Sequence, residues 1–217
     1  MKKNKQRKNT PYAVIIGLII VLVVIFGISY RNNQYGTLQI ESIDENLTVF
    51  INNQRKTTSQ DINPQFKLKD GKYTIVISKD RFWPWVKGIE IKAEIETKIQ
   101  PFFIPQNTSG VIIGEEDPEY FQIMALFKKE LISETAFASI SSQNAIFRES
   151  ITSVDFYKER QDVIIISSGD GIYALEIGSD NIQNFQPIYK GIKPVFVKKD
   201  SLSIYILDND NLMIVNY

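Results

Sequence analysis

The feature that most constrains this chain is the run from Tyr12 to Tyr30, YAVIIGLIIVLVVIFGISY, 19 residues without a charge. At about 1.5 Å per residue a helix of that length reaches roughly 28 Å, close to the hydrocarbon thickness of a bilayer. Tyrosines stand at both ends, where amphipathic rings favour the headgroup level. Lys2, Lys3, Lys5, Arg7 and Lys8 precede the run, and no acid occurs before it. Positive charge is retained on the cytoplasmic side, so the predicted topology is a basic tail inside (1–11), a transmembrane helix over 12–30, and the remaining chain outside. A cleaved signal peptide and a buried soluble helix are the competing readings. The first is disfavoured by the length of the run and by poor cleavage neighbours after Ile28.

Beyond the tail, 20 basic residues face 25 acidic ones, a net charge of about −5 that argues against nucleic acid as a partner. Cysteine and histidine are absent. That excludes disulfides, thiol nucleophiles, soft-metal sites and the usual general base near neutral pH. No cofactor or metal is expected.

After a polar tether, period-2 patterns predict strands as far as Ile104. Leu38 and Ile40 alternate with Gln39 and Glu41, and Leu47 to Ile51 runs into Asn52-Asn53, a hairpin signal. Phe66 and Leu68 lead to Asp70-Gly71, and Tyr73, Ile75 and Ile77 continue beyond it. Ile89, Ile91, Ala93 and Ile95 alternate with Glu90, Lys92, Glu94 and Glu96, which predicts a further strand despite good helix propensity.

This order resembles the PEGA domain, a small β-sandwich of surface and membrane-tethered proteins. The naming tetrapeptide falls at Asp44-Glu45-Asn46-Leu47, where Glu45 matches; Asn53 replaces the usual turn glycine, and Asp70-Gly71-Lys72-Tyr73 matches the later hairpin. The resemblance spans 36–104 and implies an extracytoplasmic binding or spacer module with no catalytic residues to carry over. Arg81-Phe82-Trp83-Pro84-Trp85 is its loudest sequence. Phe82, Trp83 and Trp85 are the candidate binding surface, as a stacking platform for a glycan or an anchor for a partner. The alternatives are that the aromatics plug one end of the sandwich or meet the membrane surface.

Residues 105–145 read as a linker and a short amphipathic helix. Asp117 is the predicted N-cap with Pro118 at the first helical position, and Tyr120, Ile123, Met124, Phe127 and Leu131 form the apolar stripe. From 146 to 217, short strands recur between turn signals, with a repeat of about 40 residues. Val154-Asp-Phe156 aligns with Pro194-Val-Phe196, Val163-Ile-Ile-Ile with Ser203-Ile-Tyr-Ile, and Ile172-Tyr-Ala-Leu with Leu212-Met-Ile-Val. This region, through Asp155-Phe156-Tyr157, Asp170-Gly-Ile-Tyr-Ala-Leu-Glu176 and Gln186-Pro-Ile-Tyr-Lys-Gly191, resembles the closing blades of β-propellers that follow PEGA domains in membrane-tethered proteins of Parcubacteria-type bacteria. About two blades fit, fewer than a closed ring needs.

The expected fold is therefore mainly β: transmembrane helix, PEGA-like sandwich, short helix and partial propeller-like repeats. The expected role is non-enzymatic, a single-pass envelope protein for extracytoplasmic interaction or scaffolding. Its partners would be the bilayer through 12–30, another envelope protein or a second copy, and a glycan. The alternatives are a glycan-acting enzyme using carboxylates and a truncated relic of a longer propeller protein. Asp208-Asn-Asp-Asn211 reads as a hairpin turn, since the glycine and terminal glutamate of a calcium loop are missing.

Overall fold

A computed structural model describes residues 16–23, 34–42, 46–59, 63–129, 131–141, 149–178 and 182–217. The fold is mainly β, as the alternating patterns predict. Residues 16–23 of the apolar run form helix α1; 12–15 and 24–30 lie outside the described residues. Among the described residues no helix is long and apolar enough to cross a membrane.

The described residues divide into two compact units, and the chain passes repeatedly from one to the other: those within 1–43, 62–73 and 89–100 form the first, the remainder the second. In the first, a three-stranded sheet has the order β4 (Gln65–Lys69), β1 (Tyr35–Ile40), β7 (Glu96–Ile99). β4 pairs antiparallel with β1 and β7 pairs parallel with it. Alternation along β1 buries Leu38 and Ile40 completely. Gly36 is required where it stands, because a Cβ there would lie 2.2 Å from the Lys92 carbonyl oxygen.

In the second unit, β2 (Leu47–Ile51) turns into β3 (Gln54–Ser59) through Asn52 and Asn53, with φ of 48° and 63°. Both asparagines thus adopt the left-handed conformation that a two-residue hairpin demands. These strands share a sheet of order β3-β2-β5-β6 with β5 (Gly71–Ser78) and β6 (Trp85–Ile91), of which residues 74–78 and 85–88 belong to this unit. The strand expected through Ile95 ends at Ile91. Glu94, at φ 62°, turns the chain before β7 begins, so the period-2 pattern continues through a corner that it does not reveal.

Two four-stranded sheets complete the second unit. One has the order β12 (Ile182–Lys190), β11 (Gly171–Ile177), β10 (Val163–Ser168), β9 (Ile151–Phe156). The other has the order β13 (Val195–Lys198), β14 (Ser203–Asp208), β15 (Asn211–Asn216), β8 (Gly110–Ile112). The repeated passages occupy matching places, β9 with β13, β10 with β14 and β11 with β15. The fourth strand of the later sheet comes from β8, earlier in the chain, which pairs Val111 with Ile214.

The helix expected from Pro118 to Leu131 is shorter. α2 covers Tyr120–Leu126 with Glu119 at its N-cap and no side-chain capping bond. Asp117 instead accepts the Gly114 N–H at 2.6 Å, which holds the preceding turn. Ile123 is buried with Ile113, Tyr205 and Leu212, so α2 covers one face of the later sheet. A second helix, α3 (Glu134–Ser141), was not signalled by the periodicity. Its Ala136 and Ile140 pack on Val154, Ile164, Ile166 and Leu175 of the earlier sheet. Leu131 belongs to neither helix: its carbonyl accepts the Val154 N–H at 3.1 Å, and Ile132 bridges Val154 in parallel at the β9 edge.

Candidate functional site

The aromatic segment between β5 and β6 is fastened by its backbone. Arg81, at φ 65°, turns the chain. The Trp83 N–H donates to Ile104 O at 2.9 Å, Gln106 N–H to Arg81 O at 2.8 Å, and Phe82 bridges Pro105. Phe82 is half-buried, edge-on to Phe103 with centroids 6.4 Å apart, and the Lys79 ammonium sits 4.2 Å from its ring centre. Trp83 is half-buried as well.

Trp85 has no exposed surface. Of the three residues read as a candidate surface it is a core residue, so Phe82, Trp83 and Trp85 do not form one exposed platform. Its indole N–H donates to Glu176 Oε2 at 2.8 Å. Glu176 lies on β11 and is itself buried. Lys87 Nζ donates to its Oε1 at 2.5 Å, and Asn184 Nδ2 to its Oε2 at 2.7 Å. Asn184 Oδ1 accepts the Val86 N–H at 2.5 Å. A buried carboxylate costs several kcal/mol unless charge and donors compensate it. Here a cation and two neutral donors do so, and both oxygens are occupied. The arrangement holds strand ends together, with both carboxylate oxygens engaged by internal donors.

Gln186 on β12 does the same with an amide. Buried, it accepts from Ile104 N–H at 3.0 Å and donates towards Phe102 O and Pro84 O at 3.4 and 3.5 Å. Sequence reasoning passed over both residues as site candidates. The available signal was a lone acid inside the apolar strand GIYALEI and a glutamine in FQPIY, polar side chains at positions a buried strand ordinarily fills with carbon.

Asp208 forms a second occupied carboxylate. It accepts from the Ile192 and Lys193 N–H groups and from Tyr189 OH, each at 3.1 Å. The approach is so close at Gly191 that a Cβ there would lie 1.9 Å from Asp208 Oδ2. The Tyr189 hydroxyl is held above its usual pKa by burial first and by the Asp208 bond second. Asp208-Asn-Asp-Asn211 forms the expected hairpin, with Asn209 at φ 54° and Asp208 opposite Asn211.

Two depressions lie in the second unit. One, about 370 Å³, is lined by Ser133, Glu134, Asp155, Phe196 and Lys198 among others. Its ammonium is already engaged, donating to the carbonyls of Phe156 and Lys158 at 3.1 and 2.9 Å. The other, about 620 Å³ and more open, is lined by Pro105, Lys199, Asp200, Ser203, Asn216 and Tyr217. Tyr217 OH is buried without a hydrogen-bond partner, and burial raises its pKa, with Tyr157, Asp155 and Asp200 adding to the effect. Asp200 is held below the usual carboxylate range by the Leu202 N–H it accepts and by Ser203. Among the described residues no three His, Cys, Asp or Glu side chains converge to hold a metal.

The candidate features are thus two buried carboxylates bonded by internal donors and, lined by other residues, two depressions with polar walls. No family model matches the sequence and no curated protein matches it.

Proposed function

We propose that the chain is a single-pass membrane protein with its basic tail in the cytoplasm and its β region outside, where it serves as a non-enzymatic interaction or scaffolding module of the envelope. The carrying observation is α1. Its large apolar side chains, from Ile16 to Val23, are each 53 to 65 % exposed. Leaving such a stretch in water costs about 25 cal/mol for every Å² of apolar surface, whereas hydrocarbon removes that cost. The flanking sequence extends the apolar run to 19 residues behind five basic ones.

A PEGA-like module followed by propeller-like repeats suits a presenting role. The occupied carboxylates support that role over a glycan-acting one, because Glu176 and Asp208 are committed to internal donors. Protease added outside intact cells tests the topology: fragments beyond Arg31 should disappear while the N-terminal tail survives. A C-terminal reporter that stays protected would overturn it.

A further inference from the structure

The three-stranded sheet of the first unit is polarised at the end where the chain enters it. Its edge strand β4 reads QFKLK and carries no acid. Lys67 and Lys69 are exposed, and the register sets Lys69 opposite Tyr35 and Lys67 opposite Thr37, at the very start of β1. Tyr35 is 37 % exposed, with the Lys67 ammonium 5.5 Å from its ring centre. Two acids of this unit stand at the same end, Asp70, whose N–H donates to Gln34 O at 3.0 Å, and Glu94. Glu41 and Glu96 share Lys98 at 2.9 and 3.8 Å, Asp70 accepts the Ala93 N–H, and the exposed Glu94 donates its N–H to Tyr35 O from the β7 side. Lys67 and Lys69 have no carboxylate at ion-pair distance among the described residues.

Chain length limits where this face can be. Tyr30 ends the apolar run and Tyr35 opens β1, so even full extension keeps Tyr35 within about 18 Å of the end of the run. We propose that the β4–β1 face, through Tyr35, Lys67 and Lys69, lies against anionic lipid headgroups of the membrane that holds the anchor, so that the first unit is seated on the bilayer. The inference rests on the anchored topology proposed above. Lysines are drawn to an anionic surface over roughly a Debye length of 8 Å, tyrosine prefers headgroup depth, and a short tether keeps the local lipid concentration high. Lysines on an edge strand also prevent edge-to-edge pairing. That role is indifferent to lipid charge, which gives the test its contrast.

The chain has no cysteine, so a single Gln65→Cys reports from β4 and a single Asp210→Cys from a turn of the second unit. Each full-length variant, dye-labelled, is reconstituted into vesicles carrying a headgroup-linked quencher, either phosphatidylcholine alone or rich in phosphatidylglycerol. The dye at position 65 should be quenched about twofold more strongly in the anionic vesicles, and high salt should abolish the difference. The dye at position 210 should not respond to lipid charge. Adding Lys67→Gln and Lys69→Gln to Gln65→Cys should remove the lipid dependence while the thermal melt stays cooperative. Equal quenching in both lipids, with protein that withstands carbonate washing, overturns the docking and leaves the anchor intact. Protein released by carbonate overturns the anchor, and the docking with it.

Discussion

Strands β10 and β4 differ in what covers them. β10, VIIISS, is buried over five consecutive residues, whereas β4, QFKLK, alternates between exposed and half-buried positions. β10 lies inside its sheet, flanked by β9 and β11, and α3 packs against it through Ala136 and Ile140. β4 is an edge strand. An unbroken apolar run thus marks a strand covered on both faces, and alternation marks one with a wet face. The difference also locates fragility: the second unit depends on buried polar contacts that tolerate little change, while the outward face of β4 does not.

The sharpest way to break this contrast is at the buried indole. Trp85→Ala should destabilise the second unit by about 3–5 kcal/mol, since it empties a fully buried site and removes a donor from Glu176. Trp83→Ala, at a half-buried position, should cost less than about 1.5 kcal/mol. Denaturant titration of the full chain in detergent compares them, and equal losses would erase the distinction between the two tryptophans.

A smaller effect is expected at the β12–β13 connection. Gly191→Ala should cost about 1–3 kcal/mol, because the new methyl would overlap Asp208. In an Asp208→Ala background the same substitution should cost much less, a non-additivity readable in a double-mutant cycle. Additive losses would show that Asp208 is not what confines Gly191.

The smallest effects are those of pH. Tyr173, Tyr189 and Tyr217 have folded pKa values raised, by burial first, above an ordinary value near 10. Their contribution is complete below that value and is lost as pH rises beyond it through the higher folded values, because the unfolded chain ionises first. Asp162 behaves in the opposite sense. Burial pushes it up, but the two-pronged Arg160 pair, at 2.9 and 2.6 Å, outweighs burial and leaves its pKa lowered. Its contribution is present above about pH 4 and fades as pH falls further. Thermal melts across pH should therefore fall off on the alkaline side through the tyrosines, and Tyr217→Phe should lessen that loss. An alkaline limb unchanged by Tyr217→Phe would remove that residue from the account.

Much of the fold was legible from local pattern. β9 to β15 lie within 146–217, where short strands are expected between turn signals, because short apolar runs bounded by Gly, Asn and Asp turns favour strands. The shortened α2 and the missed α3 show the limit. Seven or eight residues carry too few turns for a period to stand out, and both helices owe their place to the sheets they cover. The aromatic segment shows the same limit at the candidate site. Phe82, Trp83 and Trp85 are conspicuous as letters, yet exposure depends on what folds over them, and Trp85 is covered through a glutamate 91 positions later.

By itself the sequence determined the period-2 strands, their turns, the 40-residue repeat and the absence of thiol and imidazole chemistry, since each depends on residue type and near neighbours. Only the tertiary structure decided that β8 supplies the fourth strand of the later sheet, that the chain passes repeatedly between two units, and that Glu176 and Gln186 are bonded from within. Those outcomes depend on contacts between residues distant in the chain. Strand pairing and the compensation of a buried charge are properties of such contacts, which no local spacing encodes.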